Sequence, residues 1–341
     1  MRAPIHDTLG RPLGALRMSV TDRCNLRCSY CMPEDDYVWL PREGLLDFDE
    51  LARVARLFSE LGVDRIRLTG GEPLLRRGLP DLVAKLLLLE TIGEVALTTN
   101  GVLLDSQAAA LAAAGLRRIT VSLDTLDPAR FQRLTRKDEH ARVLAGIDAA
   151  RGAGLAIKLD TVVLRDVNDD EIIPLLRYAA SIGAELRFIE YMDVGGATRW
   201  RRASVVTREE ILVRVREAFG AVEPLSGRGS APAETYRLPS GASFGVIASV
   251  TAPFCRACDR SRVTADGMWY PCLYAARGLD LKAALRGGAT DDMLRALLET
   301  AWRKRDDRGA EVRALLPDRE ALIPASALRG DPHLEMHTRG G

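Results

Sequence analysis

The sequence predicts an α/β fold: a partial (β/α)6 barrel of the TIM type followed by a C-terminal extension. Three observations lead there. Between residues 14 and 189, six short apolar or β-branched runs alternate with helical patterns, and such alternation builds a parallel sheet with right-handed crossovers. The pattern changes after about Phe219, and residues 226–232 form a Gly/Ser/Pro stretch that reads as a linker or loop. Six cysteines form two groups of three: one near the start of the alternating region, the other beyond its end.

The first strand is expected at residues 14–20, and the other five at 66–69, 95–99, 119–123, 157–164 and 186–189. Helical periodicity predicts helices over 49–61, 79–89, 106–114, 140–152 and 171–181. Gly62, Gly115, Gly154 and Gly183 follow as stop signals. Beyond the barrel, strands are expected at 235–238 and 244–250, and helices near 279–285 and 291–304. The segment from Leu316 onward has three prolines and little periodicity. The expected division is residues 1–225 for the barrel and 226–341 for the C-terminal region.

Composition narrows the function. With 47% hydrophobic and 28% charged residues, the chain reads as a soluble globular enzyme. Its 48 basic and 47 acidic side chains leave a net charge of +1, which argues against a nucleic-acid partner but leaves room for a local basic cleft. The longest apolar run, 82–89, is too short to span a bilayer and contains Lys85, so no membrane partner is expected. Residues 1–10 show no signal-peptide core, making a cytoplasmic location the default. Thiols stay reduced there, so two triads read as two metal sites rather than disulfides.

Cys24, Cys28 and Cys31 have the spacing C-x-x-x-C-x-x-C. Thiolates suit zinc and iron–sulfur clusters alike, and on spacing alone a zinc loop remains a competing reading. Three ligands on a 4Fe–4S cube leave one iron open to a bound molecule, whereas electron-transfer clusters use four cysteines. Cys255, Cys258 and Cys272 form a second triad, C-x-x-C-x(13)-C, again one ligand short of a closed zinc site. None of the four histidines fits a metal-ligand pattern. Arg260 and Arg262 would face one way in an extended segment, and guanidinium suits phosphate; a solvated Arg/Asp turn is the bland alternative. Thr98, Thr99 and Asn100, Ser122 and Asp124, Lys158, and Glu190 and Met192 cluster at the ends of expected strands, where barrel enzymes place their active sites. Gly70-Gly71-Glu72-Pro73 ends another strand, and its glycines would permit close backbone approach.

The segment from Thr21 to Pro33, with Tyr30 before the third cysteine, resembles the signature loop of the radical S-adenosylmethionine (SAM) superfamily. Together with the second triad, residues 16–23, residues 187–195 and the final Gly340-Gly341, the chain resembles the GTP 3′,8-cyclase family from Leu16 to its last residue. The likeness is least clear at 196–203, 226–233 and 316–335; Arg199, Arg201 and Arg202 receive no role.

That resemblance implies a radical SAM core and two 4Fe–4S clusters, held by Cys24, Cys28 and Cys31 and by Cys255, Cys258 and Cys272. It implies SAM contacts at Tyr30, Gly71, Ser122 and Met192. GTP contacts are implied at Arg17, Arg67, Thr98, Lys158, Arg260, Ser261 and Arg262, with Arg17, Gly340 and Gly341 supporting catalysis. In such a reaction a 5′-deoxyadenosyl radical removes the ribose 3′ hydrogen of GTP. The carbon radical attacks guanine carbon 8, giving 3′,8-cyclo-7,8-dihydro-GTP, the first step of molybdenum cofactor biosynthesis. The implied partners are a flavodoxin- or ferredoxin-like electron donor and a cyclic pyranopterin monophosphate synthase that takes the product; a homodimer is allowed. Two other readings compete. A peptide-modifying radical SAM enzyme would share the barrel but would not require Arg260 and Arg262. An iron–sulfur or zinc scaffold would leave the strand-end polar residues unexplained.

Overall fold

The computed structural model describes residues 4–317 and 319–340. Six parallel strands run in sequence order: β1 (Ala15–Ser19), β2 (Arg65–Thr69), β3 (Glu94–Thr99), β4 (Arg118–Ser122), β5 (Ala156–Val163) and β6 (Glu185–Glu190). The crossover helices include α1 (Phe48–Glu60), α2 (Leu79–Leu87), α3 (Ala108–Ala113), α4 (Pro128–Thr135), α5 (His140–Gly152) and α6 (Ile172–Ser181). All six expected strands and five expected helices are present; Gly62, Gly115, Gly154 and Gly183 all adopt positive φ. Not expected was α4, a helix of only eight residues, started by the Asp127 side chain and Pro128 at its first position.

Strand alternation explains both the core and the site. Leu16, Met18, Ile66, Leu68, Leu97, Ile119, Val121 and Leu159 are buried in the apolar core. Their neighbours Arg17, Arg67, Thr98, Arg118, Ser122 and Asp160 face the barrel interior instead. The period of two thus gives the barrel a greasy outside and a charged lumen.

After α7 (Arg208–Phe219), the chain adds β7 (Glu223–Pro224), β8 (Glu234–Arg237), β9 (Ser243–Ile247), β10 (Arg260–Val263), β11 (Met268–Tyr270) and β12 (Leu279–Asp280). These strands extend the barrel sheet at both ends: β9 lies parallel beside β6, and β10 parallel beside β1. Twelve strands result, in the order β12-β11-β10-β1-β2-β3-β4-β5-β6-β9-β8-β7. An open six-stranded barrel would leave the backbone groups of β1 and β6 unpaired, and the later strands cover both edges. Residues 226–232 form the turn between β7 and β8. The main apolar core runs from Ile5 to Trp302, with a smaller one around Leu134, Tyr191 and Trp200. The last helices are α8 (Leu281–Arg286), α9 (Asp291–Arg303), α10 (Gly309–Ala314), α11 (Ala325–Gly330) and α12 (Met336–Arg339). Among the described residues, no helix is long and apolar enough to cross a membrane.

Candidate active site

A cavity of about 570 Å³ runs from the C-terminal strand ends down into the barrel, and all six cysteines line it. All are free thiols of intermediate exposure. The triads, more than two hundred residues apart in sequence, therefore face one chamber. Among the described residues, no three Cys, His, Asp or Glu side chains gather closely enough to hold one metal ion. The donor set, three free thiols on each wall of a sizeable chamber, is suited to iron–sulfur clusters.

The first cysteine loop is anchored from three sides. Gly71 N–H donates to the Thr21 carbonyl (2.9 Å) and Glu72 N–H to that of Arg23 (2.8 Å). A Cβ on Gly71 would collide with the carbonyls of Arg23 and Asp22, so the glycine is demanded by this crossing. Glu72, fully buried, accepts from Leu74 N–H, Thr99 Oγ1 and Asn100 N–H; burial pushes its carboxyl up to about 7. Asn100 Nδ2 donates to Asn25 Oδ1 (2.8 Å). The end of α4 supplies the third anchor, Arg27 and Ser29 N–H donating to the carbonyls of Thr135 and Leu134. The Tyr30 hydroxyl donates to Asp124 Oδ2 (2.6 Å), fixing the ring at the cavity wall. Burial holds Cys24 up at about 11 and raises Cys28 and Cys31 as well.

The second loop differs electrostatically. Burial pushes the Cys258 thiol up, but Arg260 and Arg305 outweigh it and hold it down at about 7. Cys255 and Cys272 are raised by burial. Arg260 lies over the Phe254 ring, 4.5 Å from its centroid.

Beside this loop is a row of cations. The β-sheet register aligns Arg262 with Arg17, and Arg17 with Arg67, on three adjacent strands. All three face the cavity, as does Arg260. Burial, then repulsion from Arg262, Arg67 and Arg260, holds the Arg17 guanidinium well below its ordinary range. Arg262 is brought down to about 9, by burial and then Arg260, and Arg67 to about 10, by burial and then Arg118. Arg67 donates to the hydroxyls of Thr98 (3.2 Å) and Thr120 (3.0 Å). Arg17 Nε and Arg260 Nε are buried without acceptors, as is Asp160 Oδ1 without a donor. Clustered cations with buried N–H groups left free are suited to a polyanion.

The C-terminal segment closes one side. Met336 and His337 line the cavity. Ser19 Oγ donates to the Thr338 carbonyl (2.9 Å) and Arg262 Nη1 to that of Gly340 (2.6 Å). Arg339 donates to the carbonyls of Leu273 (2.9 Å) and Ala275 (2.8 Å), just beyond Cys272.

Of the residues expected at the site, Arg17, Tyr30, Arg67, Gly71, Thr98, Ser122, Met192, Arg260 and Arg262 line the cavity with the six cysteines. Lys158 and Ser261 are not among the lining residues. Lys158 Nζ is paired with Glu185 (2.8 Å), and alternation along β10 turns Ser261 away from its two arginine neighbours. Gly340 meets the site through Arg262, and Gly341 lies outside the described residues. Sequence reasoning missed Arg65, Arg118, Arg187 and Asp160, which also line the cavity. For Arg65 and Asp160, two residues from Arg67 and Lys158, that spacing was the available signal; Arg118 and Arg187 had no marked residue two positions away.

Residues 18–179 match the family model of the radical SAM superfamily, and residues 184–311 that of molybdenum cofactor synthesis C. GTP 3′,8-cyclase 1 of Mycobacterium tuberculosis is 50% identical over 100% of this chain and 96% of that protein. The chain belongs to the GTP 3′,8-cyclase family. Further members include those of Acidothermus cellulolyticus (49% identical, 93% of this chain, 91% of the relative) and Staphylococcus aureus (45%, 91% and 93%). The fold is also that of Streptococcus suis SuiB bound to S-adenosylmethionine: TM-score 0.61 at 15% identity, covering 90% of this chain and 66% of that one. This GTP 3′,8-cyclase family member is thus an enzyme of the radical SAM kind, with SAM and an iron–sulfur cluster as cofactors.

Proposed function

We propose that the single cavity holds SAM against the first cysteine triad and GTP between the arginine row and the second triad, each triad carrying a 4Fe–4S cluster. The first cluster belongs to residues 1–225 and the second to residues 226–341. The reaction is the family's, conversion of GTP to 3′,8-cyclo-7,8-dihydro-GTP, the first step of molybdenum cofactor biosynthesis. The cofactors, when bound, supply the one-electron chemistry that removes the ribose 3′ hydrogen and lets carbon 3′ bond to guanine carbon 8.

The chain's own residues bind and orient. Tyr30, fixed by Asp124, offers its ring to the adenine, while Gly71, Ser122 and Met192 complete the SAM wall. Arg17, Arg67, Arg260 and Arg262 receive the GTP, whose triphosphate relieves the repulsion and desolvation the arginines bear without it. Thr98 supports Arg67, and Lys158 is available once its pairing with Glu185 yields. The tail as far as Gly340, held by Ser19 and Arg262, narrows the chamber and excludes water from the reacting carbons; Gly341 is assigned to the same role on the family resemblance alone. An electron donor of the flavodoxin or ferredoxin kind supplies the electron, a cyclic pyranopterin monophosphate synthase takes the product, and the chain works in the cytoplasm.

One observation carries this reading: both triads and an arginine row, in which Arg17 Nε and Arg260 Nε are buried without acceptors, face the same cavity. Anaerobic reconstitution with iron and sulfide, followed by SAM, GTP and a reductant, tests it. GTP-dependent formation of 5′-deoxyadenosine and the cyclised nucleotide is expected. SAM cleavage indifferent to GTP would count against it.

A further inference from the structure

Behind the second cysteine loop lies a buried ion cluster that the reaction above does not use. The chain from His6 to Pro12 folds back on itself, with Gly10 at φ +73° and a bridge between His6 and Pro12. Asp7 Oδ1 accepts from the backbone N–H of Leu9 (3.0 Å) and Arg11 (2.9 Å), fixing the carboxylate. Its other oxygen, Oδ2, accepts from Arg11 Nε (2.6 Å) and Arg305 Nη1 (3.2 Å). Asp7, Arg11 and Arg305 are only 7%, 2% and 4% exposed.

Both guanidiniums reach on to the cysteine loop. Arg11 Nη1 donates to the Cys255 carbonyl (2.9 Å) and to that of Asp307 (2.7 Å), and Arg305 Nη1 to the Cys258 carbonyl (3.0 Å). Thr8 donates to the Arg305 carbonyl through N–H (3.2 Å) and Oγ1 (2.8 Å), and Trp302 Nε1 to that of Arg11 (3.3 Å). The N-terminal turn, the end of α9 and the cysteine loop are thereby one unit.

Two cations share one fully buried carboxylate; the second carboxylate, Asp307, is 30% exposed and pairs with Arg305 Nε only at 3.8 Å, so the positive charge is incompletely compensated out of water. A buried surplus charge is costly unless opposite charge compensates it. Three thiolates holding a metal cluster would provide that charge, and the net charge and hydrogen bonds around a cluster set its potential. We infer that Asp7, Arg11 and Arg305 are positioning residues for the second triad: they hold the backbone of Cys255 and Cys258 and set the positive field around the cluster those cysteines bind. This rests on the second triad holding a cluster.

The test separates charge from hydrogen bonding. Arg305→Gln and Arg11→Gln remove a charge while keeping an amide donor; Arg305→Lys keeps the charge. Each full-length, anaerobically reconstituted protein is assayed for iron, for SAM cleavage, and for the midpoint potential of the cluster whose electron paramagnetic resonance signal changes when GTP is added. The glutamine variants are expected to shift that potential negative, or to lose that cluster alone, with the first cluster's signal and the slow SAM cleavage seen without GTP intact. Arg305→Lys is expected to stay close to the parent protein. An unshifted potential with full iron in both glutamine variants would overturn the inference, as would equal loss of both clusters. A parent protein binding only about four irons would defeat the two-cluster reading instead, a separate failure.

Discussion

The guanidinium of Arg262 donates to the main-chain carbonyl of Gly340 over 2.6 Å, joining the barrel's arginine row to the end of the chain. Gly340 has φ +69°, and a Cβ there would run into the Thr69 side chain at the end of β2. Gly340→Ala is therefore expected to dislodge the tail, since a left-handed backbone costs an L-residue about 1–2 kcal/mol before the clash is added. Removing Gly340 and Gly341, or appending a C-terminal tag, should abolish cyclisation while leaving folding and iron content unchanged. Product analysis alongside circular dichroism and iron assay checks this; full GTP turnover by the truncated protein would refute it.

Cluster stoichiometry follows from the two triads. Anaerobic protein should contain about eight irons per chain. Replacing Cys24, Cys28 and Cys31 by Ala should remove half the iron and all SAM cleavage, and replacing Cys255, Cys258 and Cys272 the other half. Tightly bound zinc at the second triad after anaerobic purification would contradict this.

The arginine row predicts opposite effects on binding and stability. Arg260→Ala should weaken GTP binding by about 1.5–3 kcal/mol, one to two decades, with both clusters retained. Lys should rescue poorly where the contact is bidentate. Arg262→Ala should also loosen the tail, so Arg260→Ala is the cleaner measurement. Arg17→Met, which removes a desolvated cation crowded by three others, should stabilise the substrate-free protein by about 1–2 kcal/mol while abolishing GTP binding. Calorimetric titration and thermal melts separate the two effects, and a lower melting temperature for Arg17→Met would contradict the electrostatic account.

Tail docking should depend on pH through His333. Its Nε2 lies 2.8 Å from Asp266 Oδ2 and its Nδ1 3.0 Å from Asp331 Oδ1. The hydrogen bond to Asp266, first, holds the imidazolium above its ordinary pKa of 6.5. A raised pKa means the bridge contributes fully below that ordinary value and is lost as pH rises through the raised one. Proteolytic cleavage of the tail should accordingly be slower at about pH 6 than at about pH 9, and His333→Gln should flatten the difference.

Much was legible in the chain itself. The period-two and helical patterns marked all six barrel strands, and the two cysteine triads marked two walls of the cavity. Arg260 and Arg262, two residues apart, had to face one way if the segment was extended, and β10 makes it so. Such signals survive in a sequence because they depend on neighbours a few residues away. Tertiary structure alone decided that the triads share one cavity, that Arg262, Arg17 and Arg67 stand side by side, and that β9 and β10 cover the open barrel edges. It also decided that Glu185 takes Lys158, and that Asp7, Arg11 and Arg305 meet behind the second cysteine loop. Each of these is a pairing between segments remote in sequence; no local period records which strand lies beside which, and only the closed hydrogen-bond ladder and the shared core select it.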